Sequence, residues 1–103
     1  MSLIHITSEN FEELVLQAQG KVLLDFWAAW CGPCQLITPH IEDIARERED
    51  ITVGKIDVDK DPALTARFGI NTIPTLVVME GGKVLSQTAG YRPKAAILKL
   101  LEN

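Results

Sequence analysis

Hydrophobic positions along the chain change repeatedly between the spacing of strands and the spacing of helices. Residues 22–28 form the most apolar run and contain a single charge, Asp25. Such a run is typical of a central parallel strand that is covered on both faces. Before it, residues 3–7 alternate weakly and predict a first strand. An amphipathic helix capped by Thr7 or Ser8 is expected between the two strands. Its hydrophobic residues are Phe11, Leu14, Val15 and Ala18.

The second half of the chain continues this alternation of strands and helices. Hydrophobic residues at helical spacing follow Cys34, namely Ile37, Ile41, Ile44 and Ala45. They predict a helix that ends near Glu49 and that Pro39 bends. Residues 51–58 alternate as a further strand. Asp61 followed by Pro62 predicts the N-cap and the first residue of a short helix.

The C-terminal third of the chain predicts a hairpin and a last helix. Strand patterns at residues 75–79 and 84–88 flank the sequence Glu80-Gly81-Gly82-Lys83, which is typical of a hairpin turn. The last helix is expected over residues 95–101. The predicted order is therefore β-α-β-α-β-α-β-β-α, with parallel units first and an antiparallel pair last. This order predicts an α/β fold in which a central mixed β-sheet has helices on both faces.

The composition is ordinary for a globular protein and excludes few classes of function. Of 103 residues, 47% are hydrophobic and 23% are charged, and we expect a single domain over residues 1–103. The net charge of −4 argues against nucleic acid as a partner. The apolar runs fall far short of the roughly 20 residues that cross a bilayer, so no membrane association is expected. The first residues lack the basic and apolar regions of a secretory signal, which favours a cytoplasmic location.

The most informative motif contains the only two cysteines of the chain, Cys31 and Cys34. At this spacing one sulfur can attack an external disulfide while the other lies close enough to resolve the mixed disulfide. If the following helix begins near Pro33, its free N–H groups and the positive end of its dipole face the Cys31 sulfur and favour the thiolate. Cys31 is therefore the expected nucleophile, and Cys34, deeper in the helix, is the expected resolving thiol.

Two other uses of the cysteine pair are weaker hypotheses. A structural disulfide over so short a loop would constrain the unfolded chain by only about 2 kcal/mol. A zinc site would need two further ligands, and the only histidines, His5 and His40, form no recognisable second half. Both histidines are interpreted as structural or surface residues, and no metal is expected.

Asp25 is the second candidate, because a carboxylate in the middle of an apolar strand is costly to ionise. Burial is expected to raise its pKa toward neutrality. Asp25 lies on the strand that leads to Cys31, so it is expected beneath the cysteine pair, where it accepts the proton of Cys34. Lys55, on a strand expected to be its neighbour, would pair with Asp25 and draw its pKa back down. The alternative is a hydrogen-bonded carboxylate with a structural role.

Several residues outside the cysteine motif are expected near it. Pro74 should lie at the start of a strand or in a turn, because in mid-strand it would remove a hydrogen-bond donor. A cis bond there would leave the Ile73 backbone free to pair with an extended substrate, although the sequence pattern leaves the isomer open. Gly90, isolated beside a strand end, indicates a bulge or a close backbone approach. Trp27 is interpreted as packing, and Trp30 as a cover for the cysteine site.

The order of these motifs resembles the thioredoxin family over essentially the whole chain. The matching segments are Asp25-Phe26-Trp27-Ala28, Trp30-Cys31-Gly32-Pro33-Cys34, Pro39, Lys55-Ile56-Asp57-Val58-Asp59, Gly69-Ile70, Ile73-Pro74-Thr75, Gly81 and Gly90. Each segment alone is weak, but together and in order they are specific.

The resemblance implies a thioredoxin fold and a thiol–disulfide oxidoreductase that reduces protein disulfides. Cys31 would attack the substrate, Cys34 would release the reduced product, and a reductase would recharge the pair without a bound cofactor. The resemblance also implies a cis bond before Pro74. We expect the protein to be a monomer. Its substrates would dock on a small apolar surface formed by Trp30, Gly32, Pro33, Ile73, Pro74 and Gly90.

The sequence departs from the family pattern at positions that bear on partner choice. Gln35 stands where many members carry Lys or Arg, Tyr91 stands where a small residue is common, and Arg92-Pro93 replaces a more usual polar helix cap. Two other functions stay open. One is an interaction subunit of the same fold that works by docking alone, and the other is an oxidant or maturation factor in an exported compartment.

Overall fold

The computed structural model describes residues 3–102. Its strands are β1 (Ile4–His5), β2 (Lys21–Trp27), β3 (Thr52–Asp57), β4 (Thr75–Glu80) and β5 (Lys83–Ala89). Its α-helices are α1 (Gly32–Glu47), α2 (Pro62–Arg67) and α3 (Lys94–Leu100), and a π-helical turn spans Glu12–Leu16. Within residues 3–102, none of the helices has the length and apolar character needed to span a membrane.

The five strands form one mixed sheet in the order β1-β3-β2-β4-β5. Strand β3 pairs in parallel with both β1 and β2, whereas β4 pairs antiparallel with β2 and β5. The hairpin between β4 and β5 turns at Gly81 and Gly82, whose φ values of 61° and 79° suit glycine. The mixed sheet with helices on both sides confirms the predicted fold class.

Alternation along β2 divides the core between the two faces of the sheet. Leu23 points to one face, where it packs in a cluster with α1 and α3 residues such as Ile41 and Ile97. Leu24 and Phe26 point to the opposite face, where the cluster includes residues of the π-helical turn and of α2. Because successive strand residues alternate, Asp25 shares the face of Leu23 and lies on the side that α1 covers.

The first predicted helix, between β1 and β2, differs from the structure. The hydrophobic positions face the core as expected, with Phe11 and Val15 buried, but the regular structure is only a five-residue π-helical turn. Neither Thr7 nor Ser8 caps it, since Ser8 bonds to Asp61 instead. The Ser8 hydroxyl is therefore engaged with Asp61 and is not available as a helix cap.

Helix α1 follows the prediction more closely. It begins at Gly32, with Cys31 as its N-cap and Pro33 in the first turn, and it ends at Glu47 rather than Glu49. Pro39 lies inside the helix, where it has no N–H to donate to the carbonyl one turn earlier. The helix therefore begins a few residues after the central strand β2, with Cys31 at its N-terminus.

Asp61 joins α2 to the segment that follows β1. Its carboxylate accepts hydrogen bonds from the Leu64 N–H at 3.0 Å, from the Ser8 N–H at 2.6 Å and from the Ser8 hydroxyl at 2.7 Å. Burial opposes ionisation of this group, but the hydrogen bonds from Leu64 and Ser8 outweigh it, and the pKa of Asp61 lies below its ordinary value. Asp61 is therefore both a helix cap and a tertiary contact.

We expect Asp61→Ala to lower the free energy of unfolding by roughly 2–3 kcal/mol, because it removes the cap and strands the Ser8 donors. Asp61→Asn should lose less, since an amide oxygen can still cap α2. Urea unfolding at neutral pH measures both values. Asp50→Ala is the matched control, because Asp50 is exposed and pairs with the neighbouring Arg48 at the surface. Equal stabilities of Asp61→Ala and Asp50→Ala would contradict the assignment.

Candidate functional site

The cysteine pair lies where β2 gives way to α1. After Trp27 the chain turns, and the Cys31 N–H donates to the Ala28 carbonyl at 3.2 Å. Cys31 has an extended backbone, with φ −94° and ψ 111°, and its sulfur accepts the Cys34 N–H at 3.2 Å. The positive end of α1 therefore faces the Cys31 sulfur, as the spacing of the motif predicted.

The two sulfurs are bonded to each other as a disulfide, with their Cα atoms 5.3 Å apart. Cys31 is 5% exposed, whereas Cys34 is fully buried. An external sulfur can therefore approach Cys31 but not Cys34. This asymmetry favours Cys31 as the atom that exchanges with a partner.

A second loop closes over the cysteine pair from the β4 side of the sheet. The Ile73–Pro74 bond is cis, which confirms the geometry that the family resemblance implied. The Cys31 sulfur lies 3.8 Å from the Ile73 carbonyl oxygen. The Gly90 N–H donates to the Pro74 carbonyl at 2.7 Å, and Gly90 has a φ of 95° that favours glycine. Two segments distant in sequence thus meet beside Cys31.

The predicted docking surface is mostly accessible. Gly32 and Pro33 are exposed, and Ile73 and Gly90 are partly exposed. Trp30 is 70% exposed and its indole N–H donates to the Asp59 carboxylate at 2.7 Å, so the ring is held in place although it faces solvent. These residues form an apolar surface around Cys31.

Pro74 differs from the other residues of that surface because it is buried. The place of Pro74 on the docking surface stays a prediction. Its carbonyl holds Gly90, so Pro74 acts here as support for the loop.

Asp25 is fully buried opposite Lys55 of β3 and Leu76 of β4. Neither carboxylate oxygen accepts a hydrogen bond from any residue in the range 3–102. Burial raises the pKa of Asp25 to about 7, and the positive charge of Lys55 acts in the opposite direction. The alternative of a structural carboxylate needs hydrogen-bond donors, and the described residues supply none to either oxygen.

Lys55 is itself nearly buried, at 9% exposure, and is shared between two neighbours. Its Nζ lies 4.2 Å from the centre of the Trp27 ring, within the range of a cation–π contact. It also draws the Asp25 pKa down through its charge. Trp27 thus does more than pack, since it contacts Lys55, whose charge acts on Asp25. Both side chains line a cavity of about 630 Å³ together with His5 and Asp57.

Sequence patterns did not predict two contacts at the edge of the site. One is the bond between Trp30 and Asp59, and the other joins His40 Nε2 to the Tyr91 hydroxyl at 3.0 Å. Both link residues far apart in the chain, so hydrophobic periodicity gives no signal for them. Groups of three or more His, Cys, Asp or Glu side chains that could hold a metal ion do not occur among the described residues.

Comparison with known proteins agrees with this geometry. The Thioredoxin family model matches residues 2–103. Thioredoxin of Streptomyces clavuligerus is 43% identical over 97 residues, which cover 94% of this chain and 91% of that protein. Thioredoxin of Alicyclobacillus acidocaldarius is 46% identical over 90 residues, or 86% of this chain and 85% of that protein. The bifunctional thioredoxin reductase/thioredoxin of Mycobacterium leprae is 41% identical over 101 residues, or 97% of this chain and 22% of that protein.

The position of Asp25 predicts an unusual dependence of stability on pH. Its pKa is 3.8 as an ordinary carboxyl and about 7 in the folded protein, so the folded state holds the proton more tightly. Stability should therefore fall as pH rises through this range.

We expect Asp25→Asn, relative to the parent, to gain stability on the order of 4 kcal/mol between pH 4 and pH 8, because the variant has no carboxylate to ionise. Denaturant unfolding at several pH values measures this difference. Asp61→Asn serves as a control with the opposite sign, since the pKa of Asp61 is lowered. A difference between Asp25→Asn and the parent that did not vary with pH would rule out a raised pKa for Asp25.

Proposed function

Because this chain belongs to the thioredoxin family and is a thiol–disulfide oxidoreductase, we propose that it reduces protein disulfides through Cys31 and is recharged by a reductase. The observation that carries this proposal is the Cys31–Cys34 disulfide at the start of α1, in which Cys31 keeps 5% exposure and Cys34 is fully buried. Because only Cys31 of the two cysteines is accessible, the pair can exchange electrons with one partner at a time.

The reaction follows from the positions of the two sulfurs. In the reduced protein the Cys31 thiolate attacks one sulfur of a substrate disulfide, forms a mixed disulfide and releases the other substrate sulfur as a thiolate. The Cys34 thiolate then attacks the Cys31 sulfur. This step releases the second substrate sulfur as a thiolate and leaves the Cys31–Cys34 disulfide. Two electrons have passed to the substrate, and two thiols of the protein have been oxidised.

Asp25 supplies the base for the second step. Cys34 must lose its proton before it attacks. It shares the buried side of α1 with Ile37 and Ile41, which pack on the face of the sheet that carries Leu23 and therefore Asp25. With a pKa of about 7, Asp25 is partly ionised at neutral pH and can accept that proton. Lys55 is a positioning residue, because its charge lowers the pKa of Asp25 into the range in which the carboxylate works.

The substrate chain docks on the apolar surface around Cys31. Trp30, Gly32 and Pro33 form one side of this surface, and Ile73 and Gly90 form the other. An extended segment of the substrate lies between them and pairs with the backbone at Ile73, in the manner of a strand added to an exposed backbone edge. Pro74 is buried, and its carbonyl supports this backbone by accepting the Gly90 N–H.

The protein acts as an electron carrier that needs no bound cofactor, because the cysteine pair itself stores the two electrons. The donor is a reductase of the thioredoxin type. The bifunctional relative from Mycobacterium leprae, whose name joins both activities in one chain, supports this pairing. We further propose a monomer in the cytoplasm that contributes to the redox balance of the cell, since a dithiol that reduces other proteins works in a reducing compartment.

Cysteine variants test the two steps separately. We expect Cys31→Ser to lose all turnover of a protein disulfide, because no sulfur remains that a substrate can reach. Cys34→Ser should retain the first attack and accumulate the mixed disulfide, because nothing resolves it. Turnover of insulin with dithiothreitol as the electron source measures the first effect. The mass of the species formed when the pre-reduced Cys34→Ser variant, freed of dithiothreitol, is mixed with insulin measures the second. An interaction subunit would instead keep its function in both serine variants.

The direction of electron flow is tested by equilibrating the cysteine pair with a glutathione buffer. A reduction potential well below that of cytosolic glutathione supports a reductant. A potential near or above it would favour the oxidant or maturation factor and would contradict the proposed location as well.

The pH dependence of turnover tests the role of Asp25. We expect Asp25→Asn to slow the second step about tenfold or more near pH 7, since a positioned base contributes at least that much. Lys55→Met should raise the pKa of Asp25 above about 7 and shift the pH profile upward. Single-turnover release of the reduced substrate between pH 6 and pH 9 gives both profiles. An unchanged profile in Asp25→Asn would exclude the proposed base.

A further inference from the structure

A hydrogen bond between two aromatic side chains joins helix α1 to the loop after β5. His40 Nε2 and the Tyr91 hydroxyl lie 3.0 Å apart, and their ring centres are 5.8 Å apart. His40 is partly exposed, and Tyr91 is 43% exposed. Nothing in the mechanism derived above uses either residue. We call this pair the His40–Tyr91 bridge.

The bridge is continuous with the surface on which substrates dock. Tyr91 directly follows Gly90, whose N–H is held by the Pro74 carbonyl at 2.7 Å. The neighbouring Ile73 carbonyl lies 3.8 Å from the Cys31 sulfur. The ring of Tyr91 therefore lies one residue beyond a loop that is anchored beside the reacting sulfur.

Helix α1 reaches the same place along its exposed side. Gly32, Leu36 and His40 follow one another at intervals of four residues, so they lie in one row on the helix. Leu36 is 66% exposed. This row begins beside Cys31 and ends at the bridge, and with Tyr91 it extends the apolar surface away from the cysteines.

An exposed tyrosine ring normally moves among several rotamers, and binding a partner costs the free energy of fixing it. The bond to His40 holds the hydroxyl end of the Tyr91 ring before any partner arrives. A rigid aromatic ring with a bonded polar tip is suited to contact an apolar side chain of another polypeptide. It offers nothing to a small disulfide that reacts at Cys31 without extending past Gly90.

We propose that Tyr91, positioned by His40, is a specificity-determining residue that contacts an apolar side chain of a protein substrate a few residues from the attacked cysteine. The bridge thereby favours disulfides within polypeptide chains over small disulfides. This inference rests on the proposed function, since it names a substrate class for the same site. His40 is a positioning residue, and Tyr91 makes the contact.

The test compares insulin, in which the disulfides are flanked by chain, with the amino acid cystine, which has no flanking chain. We expect Tyr91→Ala to lower the ratio of kcat/KM for insulin to kcat/KM for cystine roughly fivefold, as truncation of an aromatic interface contact does. The loss should appear in KM for insulin rather than in kcat, because the contact is the same in the bound substrate and in the transition state.

Two milder variants test the role of His40. Tyr91→Phe keeps the ring but removes the hydroxyl, and His40→Ala removes its partner. We expect each to lower the insulin-to-cystine ratio by about twofold, and the double variant to lower it no further, because both changes break one interaction. Additive losses would show that His40 does not act through Tyr91 and would overturn its positioning role.

Val84→Ala is the matched control, since Val84 is 49% exposed on β5 but is paired with Met79 near the hairpin turn, away from Ala89 and the site. If the parent protein reduces neither substrate, the proposed function fails. If the parent reduces both and Tyr91→Ala behaves like Val84→Ala, only the specificity role is overturned. Equal losses on insulin and cystine would overturn it too, because they would place Tyr91 in the cysteine chemistry.

Discussion

The position of β2 at the centre of the sheet is the constraint on which the rest of the structure depends. Its backbone is paired on both sides, with β3 in parallel and with β4 in antiparallel orientation. The side chain of Asp25 consequently cannot turn toward solvent without breaking strand pairing on at least one side. A carboxylate that would ordinarily ionise near pH 4 is therefore kept in an apolar layer, and burial sets its pKa near 7.

The same strand sets the position of every segment at the site. Its last residues lead directly to Cys31 at the N-terminus of α1. Through β4 it fixes Thr75, which pairs with Phe26 on one side and with Ala89 on the other. The loops that contain Ile73 and Gly90 therefore meet beside Cys31 as a consequence of sheet register. Chemistry and docking share one rigid frame, so a change in the pairing of β2 alters both.

Much of this arrangement could be predicted from the sequence, because burial of apolar strands and helices produces hydrophobic patterns that are visible over short stretches of the chain. The apolar run at residues 22–28, the charge of Asp25 within it and the cysteine spacing are all visible in the chain. The bond of the Ser8 side chain to Asp61 was not predictable, because the two residues lie 53 positions apart in the chain. The bonds of Trp30 to Asp59 and of His40 to Tyr91 were missed for the same reason. Such contacts exist only once the sheet has brought distant segments together.

The distribution of charge at the site explains how chemistry and partner choice are separated. The first turn of α1 carries no acidic residue, and Gln35, where many family members have a cation, donates to the Ala29 carbonyl at 3.4 Å. The Cys31 sulfur is therefore stabilised mainly by the helix terminus and the Cys34 N–H rather than by a neighbouring side-chain charge. Lys55, the cation that acts on Asp25, is held beneath the surface against Trp27. Asp25 and Lys55, the charged groups that govern proton transfer, are both buried. The surface around Cys31 consists mainly of apolar and aromatic groups. Substitutions on that surface can change which chains bind while the ionisation of Asp25, set below it, stays the same.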